Sequence, residues 1–284
     1  MPSITERLSD ASERLSEHGL WAYALVPLLL ATLNATKISS VLGSAHDVHF
    51  GFSFGVPLPV TDAWAFVSTP SNGVNVAGPG GLELGLFAVG LVLQGVVLAG
   101  YLGGLARQLR GESARFGDAF STYFVRFLGF TVVLLMLFLP PVLFVLGARS
   151  LAPLVVLWML VYVVGGYFLY ATPYLVVLHD CPLGEALSRS VALGLEGGAY
   201  LRYAAGYAAA VLAISIPATL VVTNVPLLGI LLGIVGLAPV GLVFDTATLV
   251  FVADLTDAPG LGTDDDGRPH RAGLASAHRD ADSA

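Results

Sequence analysis

An all-α bundle of six membrane-spanning helices is the fold this sequence predicts, on three observations. Six long apolar runs make up most of the 284 residues, and the charges fall between those runs. Hydrophobic residues are 56% of the chain and charged residues 12%. Mean hydropathy is +0.80. A water-soluble domain needs a charged surface that this composition does not supply. A bilayer core of about 30 Å takes about 20 apolar residues in helical form.

Residues 1–19 precede the first span. Glu6, Asp10, Glu13 and Glu17 give this stretch the wrong charge for a signal peptide. Ile4, Leu8, Ala11 and Leu15 recur at helical spacing, which predicts an amphipathic lead-in helix on the inner membrane surface. The membrane domain follows over residues 20–255. Span one is Leu20–Ala35, extended to about Ser39 if Lys37 snorkels outward. Leu84–Leu105, Phe127–Ala148, Leu151–Leu178 and Tyr203–Val222 are free of charge, and Pro226–Ala253 holds one, Asp245. Eleven of the thirteen basic residues then fall on the side of the termini, with only Lys37 and Arg149 opposite. That bias predicts cytoplasmic N- and C-termini in the cell membrane.

The outer loop, about residues 40–80, contains the clearest pattern between spans. Val48, Phe50, Phe52, Phe54, Val56, Leu58 and Val60 alternate with small or polar residues, which signals extended chain. Pro57 and Pro59 restrict its second half to an edge strand or a polyproline-like path. Trp64 and Phe66 suit the interfacial belt. The expectation is a cap over the bundle, with Phe50, Phe52, Phe54 and Trp64 as a candidate partner-binding surface. On the inner side, Phe116, Phe120, Tyr123 and Phe127 share one helical face. Leu183, Leu187 and Val191 do the same after Pro182, with Glu185 paired to Arg189. Both stretches predict short interfacial helices. Gly117-Asp118-Ala119-Phe120 echoes Gly184-Glu185-Ala186-Leu187, a brief hint of a two-span repeat. Residues 256–284 lack apolar periodicity and are rich in aspartate, so a disordered acidic tail is expected.

Asp245 is the sharpest functional candidate, because an ionisable group within a span is costly to bury. An unbroken last span places it about 28 Å from Pro226, near the inner headgroups. A span broken at Gly233, Gly236 and Pro239 places it mid-membrane, where broken helices line substrate sites. Gln94 and Asn34 complete the candidate intramembrane polar site, although interhelical hydrogen bonds account for both, and for Asn224, without a ligand. Pro140-Pro141, Pro173 and Pro217 predict kinks. Gly100–Gly104 and Gly229–Gly233 permit close helix approach.

His46, Asp47 and His49 lack a fourth conforming ligand and read as solvated. Gly51-Phe52-Ser53-Phe54-Gly55 matches a nucleophile elbow only by chance, since it lies in an alternating run. Asn34-Ala35-Thr36 is a glycosylation sequon placed against the membrane boundary. The lone Cys181 excludes an internal disulfide framework. Neither a phosphate loop nor a dinucleotide-binding glycine pattern is present, nor a basic stripe for nucleic acid. No catalytic residue, metal or cofactor is expected.

Tyr101-Leu102-Gly103-Gly104, with Arg107, Arg110-Gly111 and Phe116-Gly117-Asp118, resembles the second-span exit of haloarchaeal six-span membrane proteins of unknown function. Gly184-Glu185-Ala186-Leu187-Ser188-Arg189-Ser190 and Asn224-Val225-Pro226-Leu227-Leu228-Gly229 are similar to their later segments. The single lysine and the acidic, Ala- and Gly-rich tail suit such a source. More remotely, the chain is similar to the membrane domain attached to some glycerophosphodiester phosphodiesterases. That likeness spans about residues 20–255 without the soluble catalytic domain, so it implies a membrane fold and no phosphodiesterase activity. The expected function is a non-enzymatic scaffold or accessory subunit in contact with the bilayer and with a protein partner or a second copy. The alternative is a small-solute transporter or channel using an intramembrane carboxylate; a lipid-acting enzyme ranks third.

Overall fold

The computed structural model describes residues 2–43, 49–69, 81–112, 116–147 and 152–261, with side chains described at all of these except 81–91, 138–147, 152–156, 158, 159 and 226. Among them the chain is helical or irregular, without a β-strand. The helices are α1 (Ile4–Glu17), α2 (Leu25–Leu33), α3 (Ala35–Gly43), α4 (Gly81–Leu109), α5 (Phe116–Gly147), α6 (Ala152–Leu169), α7 (Thr172–Leu178), α8 (Leu183–Glu196), α9 (Ala199–Asn224) and α10 (Pro226–Leu255), with short 3₁₀ turns at Leu20–Ala24 and Ala63–Phe66.

Four helical stretches among the described residues are long and apolar enough to cross a membrane: Phe116–Leu137, Leu160–Leu178, Ala199–Asn224 and Leu227–Leu255. The count is five if Leu20–Leu33 and Ala35–Gly43, bent by 60° at Asn34, form one span. α4 occupies the stretch expected for span two. Pro217 and Pro239 sit inside α9 and α10 without ending either helix. Pro173 instead starts α7, where the chain turns at Tyr170 and Ala171.

α1 begins with a capping box in which Ser3 and Glu6 satisfy each other's backbone N–H. The expected apolar face is real, with Ala11 and Leu15 fully buried. It packs on α10 and α9, however, so protein rather than lipid covers it. Arg7 reaches Asp254 at 3.0 Å, and Arg14 donates to the Leu261 carbonyl at 3.3 Å. Residues 256–261 also belong to this packed end, with Ala258 and Leu261 buried. The rest of the acidic tail lies outside the described residues.

The first inner connection differs from expectation. Phe116, Tyr123 and Phe127 lie within α5, one continuous helix of 32 residues rather than an interfacial helix plus a span. Arg126 is accommodated near its start by an ion pair to Asp180 and by the Tyr123 ring. The second connection is a separate helix, α8, with the expected Glu185–Arg189 pair at 2.5 Å.

α10 is central. Its first half leaves Leu227, Leu228, Leu231, Leu232 and Val235 exposed, as lipid-facing residues are. From Leu242 to Ala253 every residue except Val243 is buried. α9 and α10 turn back on each other at Val225 alone. Gly229 makes that turn feasible, because a Cβ there would lie 2.6 Å from the Val221 carbonyl oxygen.

Candidate functional site

The extended chain of residues 49–69 builds the site. It runs into the bundle from the end opposite the termini, and a descent of this kind strips water from its backbone. In a bilayer, irregular backbone is tolerated only where protein or enclosed water satisfies it. Here α9 supplies much of that satisfaction. Tyr203, Tyr207, Val211, Ser215, Thr219 and Thr223 recur at every fourth position and are all buried. The hydroxyls on this stripe accept from the segment: Ser53 N donates to Ser215 Oγ at 2.5 Å, and Ser68 N to Thr219 Oγ1 at 3.0 Å. Asn224 at the helix end accepts from His49 N and donates to His49 O, at 3.3 and 3.1 Å.

The lowest point of the descent is Val60, and there the segment meets Asp245. Val60 N donates to Asp245 Oδ1 at 2.8 Å, and the Tyr101 hydroxyl donates to Oδ2 at 2.8 Å. The Tyr174 hydroxyl points at Oδ1 from 3.4 Å. Asp245 is 1% exposed. Burying a carboxylate costs several kcal/mol unless its lone pairs are used, and hydrogen bonds to a charged acceptor are the strong kind. Three donors from three elements meet that demand. Because α10 is unbroken, Asp245 lies ten residues before Leu255, about 15 Å from that end. The last helix is unbroken, and the irregular element packed on Asp245 is the 49–69 segment.

The other candidates are dispersed. Gln94 is exposed on α4. Asn34 ends α2, where its Nδ2 donates to Asp62 Oδ2 at 2.8 Å and its Oδ1 accepts from Lys37 N at 3.2 Å. Phe50, Phe52 and Phe54 are 67%, 58% and 56% exposed. Trp64, expected beside them on the surface, is 4% exposed, with its indole N–H donating to the Ala31 carbonyl at 2.9 Å. The 3₁₀ turn started by Asp62 rotates it inward. His46 and Asp47 lie outside the described residues.

Beside the segment is a cavity of about 470 Å³. Residues 53–67 form most of its wall, closed by Tyr162 of α6, Tyr207 and Val211 of α9, and Lys37 of α3. Tyr207 packs edge-on against Phe244, the residue before Asp245. Lys37 Nζ donates to Thr69 Oγ1 at 3.0 Å.

At the opposite end, Arg110 donates to the Leu178 carbonyl at 2.7 Å, and His179 Nε2 lies 2.9 Å from Thr256 Oγ1. Burial, followed by the Arg189 and Arg110 guanidiniums, holds the His179 imidazole below its ordinary value, against a smaller pull from Glu185.

Tyr101, Tyr174, the α9 hydroxyls, Lys37 and Asp62 border Asp245, the 49–69 segment or the cavity, and sequence reasoning did not single them out as candidates. The four-residue stripe on α9 was visible; the tyrosines resembled ordinary span residues. Comparison with protein-family models, curated proteins and solved structures finds no match.

Proposed function

We propose that this chain is a six-span protein of the cell membrane, with cytoplasmic termini, that acts as a non-enzymatic scaffold or accessory subunit. In this reading α4 and the bent α2–α3 pair join the four other crossings. The orientation rests on the basic residues clustered at the terminal end. One observation carries the functional reading: both oxygens of Asp245 are engaged in fixing Val60, Tyr101 and Tyr174. A carboxylate used in this way is a strut for the re-entrant segment. What the strut leaves on display is the edge of Phe50, Phe52 and Phe54 along α9, a fixed aromatic row of the kind that anchors protein contacts.

A photo-crosslinking residue placed at 50, 52 or 54 in native membranes tests this. The expected result is one discrete protein adduct of constant size, lost when the two remaining phenylalanines become serine. Adducts to lipid alone would remove the scaffold reading. The cavity supports a second reading, a small-solute transporter or channel in which Asp245 holds the floor beneath the solute.

A further inference from the structure

Part of the wall of the 470 Å³ cavity is backbone whose N–H groups, at Phe54, Gly55, Val56 and Thr61, meet no acceptor among the described residues. Among the described residues, the only backbone N–H that meets a carbonyl between Ser53 and Thr61 is that of Leu58, on Val56 at 2.6 Å. Pro57 and Pro59 have no N–H to give. Ser53, Gly55, Val56, Leu58, Pro59, Thr61 and Asp62 are only partly buried. Acyl chains offer such groups no hydrogen bond, so a cavity with this wall suits water or a polar ligand and not lipid tails.

The charges in that wall are two and opposite. Lys37 and Asp62 both line the cavity, yet they do not pair with each other. Neutral groups hold each in place: Thr69 Oγ1 accepts from the ammonium, while Asn34 Nδ2 and the Trp64 backbone N–H donate to the carboxylate. The remaining wall is mostly apolar, including Val56, Phe66 and Val211, and the volume falls within the roughly 300–1,000 Å³ of small-ligand pockets.

We propose that this cavity is a hydrated binding site for a small zwitterion with an apolar body, its anionic group on Lys37 and its ammonium on Asp62. A free aliphatic or aromatic amino acid has that chemistry, and so does the headgroup of an ethanolamine phospholipid. The site holds for either functional reading, as a regulatory ligand of a scaffold or as the cargo of a transporter.

The test uses the full chain in nanodiscs of phosphatidylglycerol, with thermal unfolding followed against leucine and phenylalanine. The expected result is a saturable rise in Tm that leucinamide and 4-methylvalerate, each with one charge, match only at about tenfold higher concentration. Lys37→Gln and Asp62→Asn should each weaken the zwitterion about tenfold, while their unliganded Tm shows that they fold. In a Cys181→Ser background, a cysteine at Thr61 should react with an impermeant thiol reagent and be protected by leucine. A leucine response abolished in phosphatidylethanolamine discs identifies the lipid headgroup as occupant and keeps the site. Equal responses to leucine and leucinamide, no response to either zwitterion, or an unreactive position 61 each overturn it. None of these readouts depends on a protein partner, so failure here leaves the crosslinking test intact.

Discussion

Asp245 without its carboxylate would leave the Val60 N–H and two tyrosine hydroxyls facing no acceptor. An unsatisfied buried donor costs about 1–3 kcal/mol, so Asp245→Ala should lose roughly 3 kcal/mol or more in detergent unfolding. Asp245→Asn keeps an oxygen for Val60, and tyrosine hydroxyls can rotate to accept from its amide. Its loss should be about 1–2 kcal/mol. Equal losses for the two variants would refute the strut. A second residue carries a pH signature. The His179 imidazole, held below its ordinary value of 6.5 in the folded protein, makes the unfolded chain the better proton binder just beneath that pH. Stability should therefore be steady above 6.5 and fall on acidification below it. His179→Gln should flatten that slope in a Tm-versus-pH series. Asp245 stood out as a candidate because it is the one charge in its apolar run, and it is buried with three donors on its carboxylate. Its partners were not, because no spacing rule links residues 60, 101, 174 and 245.

The 49–69 segment and α9 act together as an element pair. The period-two alternation matches exposure only over residues 50–55, where the phenylalanines face outward and Gly51, Ser53 and Gly55 are half-buried. Farther along the same apolar series Val56 and Leu58 are half-buried and Val60 is buried. It said nothing about what the inner edge would bond, and a helix, α9, supplies the acceptors for Ser53 and Ser68. Extended chain and β-ladder share a periodicity and differ in partner, and only the partner is invisible in one sequence. Replacing Ser215 and Thr219 by alanine removes an acceptor apiece, about 1 kcal/mol each. Hydrogen exchange should accelerate at Ser53 and Ser68 while the α9 amides hold. Uniform acceleration through α9 would mean that the stripe supports the helix and not the segment. The aromatic spacing at Phe116–Phe127 likewise marked a helical face correctly. It missed that the face continues into the span, because the Arg126–Asp180 pair is made by residues 54 apart.

For the whole molecule, hydropathy made the helical architecture legible, with four described helices long and apolar enough to cross a membrane, since twenty-residue apolar runs have few other solutions. The interior order was hidden, because α10 reads as one more span but is the helix around which the others close. The amphipathic pattern of α1 was equally plain, yet its destination was not: a face that would suit lipid is spent on α10, tied by Arg7 to Asp254. This enclosure has a consequence for biogenesis. α10 follows the other described helices in the chain, so α1 and the 49–69 segment are synthesised before the helix on which both pack. Nascent chains arrested after α9 should show residues 49–69 open to protease, and chains extended through residue 261 should show them shielded.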